Sequence, residues 1–353
     1  MQLDIIGGGL SGLATAIAAK KTNPKLSVIV HEKHDDIGFN SDARKCGEAH
    51  AVESFSLQWT PSKNEIGSEI HCVQSDIGRK RYTYHRKENT AWILNRPAFI
   101  ANLGRTAEKH NVLIQTNDMV KDVDSLSGDY IVDASGCPSI IRKKLHLPLR
   151  FVGFGYQETL KDCSAFKDHT MKMIFNTLGG YFWIFPRNKD RREVNVGVGL
   201  YEKKSLNYKN ILAKFKRDFN IEGSLVYRTA GLIPFGLQYP LRKGNILFVG
   251  DAGVGTFALD GQGIYRALMS GEAAGRCLGK NNPSGYVSDM FKLFIKWDLI
   301  GKSFLRSLYV TNRINSKAVL PLWNVMLASH EFFSLFQSEY TKMEQMVRKD
   351  KRL

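Results

Sequence analysis

The chain has 353 residues, 43% hydrophobic and 24% charged, an ordinary globular composition that excludes a disordered chain. At about 150 residues per domain, the length predicts two domains or one large one, with a core that needs neither disulfides nor a structural metal. Lys and Arg number 50 against 34 Asp and Glu, a net charge of +16 that predicts attraction to nucleic acid, an anionic membrane surface, a phosphorylated substrate or an acidic protein.

The five cysteines, Cys46, Cys72, Cys137, Cys163 and Cys277, are scattered and form no CxxC pair. They read as reduced thiols, with no zinc-ribbon or thioredoxin signature, and no metal site is expected. No apolar run reaches the roughly 18–20 residues of a spanning helix. The start, Met1-Gln2-Leu3-Asp4, lacks the basic n-region of a signal peptide. The expectation is a cytoplasmic protein, at most peripheral to the cytoplasmic face of a membrane.

In chain order, residues 3–6 predict a short strand, 13–21 a helix and 26–30 a second strand, a complete βαβ unit. Residues 70–84 hold one or two strands. Residues 97–110 read as a helix with Pro97 in its first turn. Residues 112–114 and 130–132 look like short buried strands. Strand patterns dominate 151–200, a helix follows at 206–219, and 246–249 is a buried strand leading through a Gly-rich loop to a helix at 263–277. After Pro283 the pattern is helical. Strands of the first fold thus return near 130 and 246, with a sheet-rich piece inserted between them.

Between the first strand and helix lies Gly7-Gly8-Gly9-Leu10-Ser11-Gly12, and the second strand ends at His31-Glu32-Lys33. Gly7, Gly9 and Gly12 allow a tight turn, close approach to a pyrophosphate and close helix–strand packing. The helix N-terminus offers free N–H groups to phosphates. Glu32 suits a ribose diol, which disfavours NADP. The motif leaves NAD and FAD open. Two later segments favour FAD: Asp133-Ala134-Ser135-Gly136 after one strand, with Arg142 beyond it, and Gly250-Asp251-Ala252 after another. Asp260-Gly261-Gln262-Gly263 then opens a helix. A strand ending in Gly-Asp puts a carboxylate where ribityl hydroxyls can donate to it.

These segments together resemble FAD-binding oxidoreductases of the aromatic-hydroxylase type. Arg44-Lys45-Cys46-Gly47-Glu48 is similar to the Arg-x-Cys-Gly-Glu loop of geranylgeranyl reductases. Gly180-Tyr181-Phe182-Trp183-Ile184-Phe185-Pro186, followed by Val194-Asn195-Val196-Gly197-Val198-Gly199, looks like that family's Tyr-x-Trp-x-Phe-Pro strand pair. The resemblance implies a flavin reductase acting on double bonds of geranylgeranyl chains, as in archaeal ether-lipid precursors. It implies an α/β fold. A Rossmann-like FAD-binding domain would take residues 1–60, 95–150 and 240–280, an inserted antiparallel-sheet substrate domain 61–94 and 151–239, and a helical region 281–353. The FAD set so implied is Gly7, Gly9, Gly12, Glu32, Lys33, Arg44, Cys46, Gly47, Arg96, Asp133, Gly250, Asp251, Gly261 and Gly263. Cys46 would be catalytic, and Tyr181, Trp183 and Phe185 would lie near the substrate tunnel. Alternate residues of a strand share a face, so those three aromatics line a tunnel or form sheet core. Cys46 likewise stays open between a proton donor and a structural thiol.

No second strand–GxGxxG–helix unit occurs, so the electron donor is expected to be a ferredoxin-like protein or a transient NAD(P)H. Basic clusters stand at Arg79 to Lys87, at Arg187, Lys189, Arg191 and Arg192, and at Arg348 to Arg352. With a flavin fold, nucleic acid drops out and anionic lipid is the better partner. The apolar residues of the late helices, such as Phe291, Leu293, Phe294, Trp297, Leu299, Phe304 and Leu308, are expected mostly in the core. The expected assembly is a monomer. The alternatives are a flavin monooxygenase of the same fold and a flavin-bound lipid carrier without turnover.

Overall fold

The computed structural model describes residues 1–41, 46–51, 59–85, 91–201 and 205–328. The βαβ unit opens it as β1 (Gln2–Ile6), α1 (Leu10–Thr22) and β2 (Ser27–His31). Leu3 to Ile6 are buried on both faces, as a central parallel strand must be, with Asp4 the one charged residue among them. Then come β3 (Ala49–Ala51), β4 (Ile66–Ile70), β5 (Cys72–Ile77), β6 (Lys80–His85) and β7 (Ala91–Leu94). The helix α2 (Arg96–Lys109) precedes β8 (Leu113–Gln115), β9 (Tyr130–Asp133) and the short helix α3 (Ile140–Lys144). The long strands β10 (Val152–Lys161), β11 (Thr170–Phe175), β12 (Gly180–Asn188) and β13 (Glu193–Tyr201) follow. After them stand α4 (Tyr208–Asp218), β14 (Ser224–Pro234), β15 (Arg242–Lys243) and β16 (Ile246–Phe248). The chain continues through α5 (Ile264–Gly279), α6 (Pro283–Ile314) and α7 (Val319–Ala328).

Six strands form one sheet in the order β15-β16-β9-β1-β2-β8. Strands far apart in sequence are neighbours here: Leu3 pairs with Tyr130, and Ile246 with Ile131, all in parallel. The expectation of a buried strand at 112–114 needs correction. β8 is an edge strand with β2 alone beside it, and Leu113 is 53% exposed. Helix α5 packs on α1 through Gly271 and Gly275. A Cβ at either would lie 2.3 Å from Ser11 O or 2.2 Å from Thr15 O, so only hydrogen fits.

Seven strands form a second sheet in the order β14-β10-β13-β12-β11-β5-β6, antiparallel except where β11 runs beside β5. One of its faces packs against α4, where Leu212 and Phe215 meet Val194, Val196 and Val198. Phe182 stacks on Phe215 with ring centres 4.1 Å apart. A third sheet, β3-β7-β4, packs against β12 of the second, where Ile70, Ala91 and Ile93 cluster with Trp183 and Phe185. Helix α6 starts at Pro283, where the missing N–H costs nothing, and its Asn282 side chain accepts from Gly285 N–H at 3.2 Å. Of the late-helix residues expected in the core, Leu293, Phe294, Trp297 and Leu308 are buried, whereas Phe291 and Leu299 are exposed. Among the described residues, no helix is long and apolar enough to cross a membrane.

Candidate active site

One continuous cavity of about 740 Å³ runs from the βα turn of the first sheet to the inner face of the second. At its first end, Gly7 (φ 106°) would put a Cβ 2.6 Å from Ala134 O, and Gly12 would put one 2.0 Å from Gly7 O. These two glycines build the turn. At Gly9, a Cβ would meet nothing within 4 Å, so the loop presents bare backbone to the cavity. Among the described residues no side chain caps the start of α1, which leaves its first N–H groups for a ligand. Glu32 is buried beside it, its two oxygens accepting from Gly8 N–H at 2.7 Å and His34 N–H at 3.0 Å. Each oxygen retains a lone pair for a ribose hydroxyl.

Midway, Cys46, Arg96 and Asp251 converge from three elements. Cys46 Sγ accepts from Glu48 N–H at 3.2 Å and from Arg96 Nη1 at 3.6 Å. Burial pushes the Cys46 thiol up, and the nearby Arg96 guanidinium offsets this only in part, so the thiol keeps its proton at neutral pH. Burial also raises Asp251, against the pull of Arg96 and Arg266. Arg96 Nε is buried with no protein partner among the described residues. An orphaned guanidinium N–H on a cavity wall suits an anionic or carbonyl-bearing ligand.

The segment after Cys46 is held by the second sheet. Gln157 Nε2 donates to Cys46 O at 3.3 Å, and Asn195 Nδ2 donates to Gly47 O at 3.2 Å and Glu48 Oε2 at 3.1 Å. Arg187 bridges Glu48 at 2.6 Å and Glu193 at 3.0 Å, and both carboxylates are buried. Glu48 itself adopts φ 62°, a left-handed conformation unusual for a residue with a side chain.

Beyond this point the cavity becomes apolar. Tyr181, Trp183 and Phe185 line it from alternate positions of β12, joined by Phe175, Tyr201, Phe235 and Trp323. The Trp183 indole lies across Gly197 and Gly199 of β13, where a Cβ at Gly197 would come within 2.2 Å of the ring. Trp183 Nε1 donates to Gln157 Oε1 at 2.9 Å, which links the aromatic wall to the Cys46 loop. Tyr181 donates its hydroxyl to Asp260 O at 2.5 Å. Burial raises the Asp260 carboxyl to about 6.

The expected cofactor residues therefore divide. Gly7, Gly9, Glu32, Lys33, Cys46, Gly47, Arg96, Asp251, Gly261 and Gly263 line the cavity. Gly12 and Gly250 stand behind it and shape its turns. Asp133, expected among the cofactor residues, is fully buried and does not line the cavity. Its carboxylate accepts from Ser135 Oγ at 2.6 Å, Ser135 N–H at 3.1 Å and the Ser139 hydroxyl, within the buried turn. Arg142 is likewise structural, donating to the carbonyls of Ala252, Gln238, Tyr239 and Pro240. Arg44 lies outside the described residues, as do Arg86, Lys87 and the basic tail. In the cluster around Arg187, Arg187 itself is an internal clasp, while Lys189, Arg191 and Arg192 are exposed. Besides the Arg187 pairs, Lys189 meets Asp168 at 2.9 Å and Arg191 meets Glu193 at 3.5 Å.

Residues 152–231 match the family model described as geranylgeranyl reductase catalytic domain, and residues 5–64 that of an NAD(P)-binding Rossmann-like domain. The chain is 30% identical over 331 residues to digeranylgeranylglycerophospholipid reductase 2 of Methanosphaera stadtmanae, covering 80% of this chain and 81% of the relative. The chain belongs to the geranylgeranyl reductase family. A digeranylgeranylglycerophospholipid reductase of Methanocella arvoryzae is 25% identical over 325 residues, 80% of this chain and 79% of that one. Among solved structures, a geranylgeranyl bacteriochlorophyll reductase-like protein of Thermoplasma acidophilum superposes with a TM-score of 0.69 at 17% identity. It covers 90% of this chain and 87% of its own. A flavin-dependent brominase superposes at 0.71 with 15% identity over 99% of both chains, which shows the same fold.

Membership makes this reductase an FAD-dependent oxidoreductase acting on carbon–carbon double bonds. The cavity fits FAD: a bare glycine turn at a helix N-terminus, an acid beside it, and an orphaned arginine further along. Sequence reading missed Gln157, Asn195 and His50. The first two are amides inside strand patterns, a signal that buried polar side chains have work to do. His50 is buried at the cavity wall, and no motif marks it.

Proposed function

We propose that this reductase saturates the double bonds of geranylgeranyl chains carried by an archaeal-type ether glycerophospholipid, and that Cys46 supplies the proton. The observation that carries this reading is the continuity of the cavity. Its phosphate-binding turn, the protonated Cys46 thiol and the aromatic arm open into one another. Bound FAD supplies hydride chemistry. The chain does the rest. Gly7, Gly9 and the α1 N-terminus hold pyrophosphate, and Glu32 takes a ribose. Arg96 and Asp251 flank the redox end. Tyr181, Trp183 and Phe185 hold an alkyl chain in line and exclude water. Cys46 Sγ holds a proton next to Arg96, which steadies the thiolate left after donation. Each saturated bond takes up one hydride and one proton. The reductant is a small acidic redox protein or a visiting nicotinamide.

The test uses the FAD-loaded enzyme, reduced anaerobically with dithionite and given a detergent-dispersed geranylgeranyl glycerophospholipid. The product mass is expected to rise in steps of two hydrogens. Replacing Cys46 by Ala or Ser should slow turnover by about 10²- to 10⁴-fold while FAD content holds. No mass gain with the wild type ends the reading. Full turnover in both variants removes Cys46 from it. Oxygen-dependent hydroxylation instead would favour a monooxygenase.

A further inference from the structure

Helix α6 spans 32 residues and has two unlike long faces. Its inner face packs into the molecule, and Leu305 reaches the apolar arm of the cavity beside Trp323 and Met326. Its outer face presents Lys292, Lys296, Leu299, Arg306, Val310 and Ile314 at spacings of three, four and seven residues, which places them along one side. Leu299 is 62%, Val310 49% and Ile314 81% exposed. A soluble surface seldom aligns large aliphatic side chains in this way.

The charge on this side is of one sign. The only acids of α6 are Asp289 and Asp298, both buried: Asp289 lies 3.7 Å from Arg276, and Asp298 pairs with Arg266 at 2.8 Å. No Asp or Glu occurs from Leu299 through His330. The outer face therefore interleaves cations with aliphatic side chains and carries no acid among the described residues of that side.

We propose that the outer face of α6 docks the protein on an anionic lipid bilayer. Lys292 and Arg306 would meet lipid phosphates, while Leu299, Val310 and Ile314 enter the boundary of the acyl layer. An acidic protein would satisfy the cations but not the aliphatic row, whereas a bilayer of acidic lipids satisfies both. The inference rests on the reading of the substrate as a membrane lipid. It gives that reading a geometry, because the docking face and one wall of the substrate arm belong to a single helix.

The FAD-loaded full chain would be sedimented with vesicles of equal parts phosphatidylglycerol and phosphatidylcholine, and with phosphatidylcholine alone. Binding is expected to the first only and to weaken as salt is raised. The double variant Lys292→Glu with Arg306→Glu should bind at least about tenfold less. The same charge change on α4, Lys209→Glu with Arg217→Glu, should bind as the wild type does. Leu299→Ser with Ile314→Ser should retain binding at low salt and lose it at high salt. Hydrogen exchange on the unaltered protein should slow at 299–314 when the phosphatidylglycerol vesicles are added. Equal loss in the α4 variant would mean diffuse attraction, and protection elsewhere would mean another face. A self-association abolished by the α6 variants without vesicle binding would mean a second copy; each of these overturns the proposal. Turnover on detergent-dispersed lipid separates the two readings. An enzyme that reduces dispersed lipid but ignores vesicles refutes docking alone. One that binds vesicles and leaves the lipid unsaturated refutes the substrate reading alone.

Discussion

His50 shows how a single side chain couples the site to pH. It is buried at the cavity wall, and burial lowers its pKa to about 3 from an ordinary 6.5. The folded chain therefore holds fewer protons than the unfolded chain between those two values. By linkage, the contribution of His50 to stability falls as pH drops from 6.5 towards 3. Replacing His50 by Gln removes this dependence. Urea midpoints measured across that window should decline less steeply for the variant than for the wild type. Equal slopes would show that His50 does not stay neutral in the folded protein. Cys46 was legible as a candidate from its neighbours in sequence. Its retained proton was not, because that depends on burial balanced against Arg96, which stands 50 residues away.

At the scale of elements, the strand pair β12–β13 decides the shape of the apolar arm of the cavity. The pattern Tyr181, Trp183, Phe185 revealed that three aromatics share a face, but left open whether they were tunnel or core. The structure makes them both. Trp183 and Phe185 are buried in the wall, and all three border the cavity. The two glycines opposite, Gly197 and Gly199, lacked any rationale as a phosphate motif. The register places Gly197 directly across from Trp183, where the absent Cβ makes room for the indole. Gly197→Ala should push the ring into the cavity and cost about 1–3 kcal/mol through overpacking. Thermal unfolding reads the cost. Turnover should fall more for long isoprenoid substrates than for short ones, and an unchanged Tm with unchanged selectivity would contradict the register argument.

At the scale of the whole molecule, a buried ion pair ties the C-terminal helices to the cofactor side. Arg266 of α5 meets Asp298 of α6 at 2.8 Å, and both are essentially without solvent exposure. Arg266 also donates to the carbonyls of Val254 and Gly255, while Asp298 accepts from Leu237 N–H at 2.6 Å. Asp298→Ala would strand a buried guanidinium and should cost about 3–5 kcal/mol in urea unfolding. Arg266→Met combined with Asp298→Leu should recover much of that loss, short of the penalty for the unpaired Leu237 N–H. A single variant as stable as the wild type would mean that the pair contributes nothing to holding α6 in place.

The sequence by itself determined the βαβ unit, the glycine turn, most element boundaries and the family, because local spacing and periodicity are short-range properties. It also picked out residues of those motifs that line the cavity. Only the tertiary structure decided which polar groups are left over for a ligand. Asp133 looked like a cofactor contact, yet it is buried off the cavity and accepts from Ser135 and Ser139. Arg187 looked like surface charge and became the clasp of the Cys46 loop. The strand expected buried at 112–114 proved to be an edge at Leu113–Gln115, and Leu299 looked like core and faces outward. For Asp133 the partners stand only two and six residues on, but the turn that brings them onto the carboxylate is set by the fold; for Arg187 the partner Glu48 lies 139 residues away, and for the edge strand and Leu299 a neighbour is missing. Burial and hydrogen-bond satisfaction are properties of the assembled fold, which no window of sequence contains.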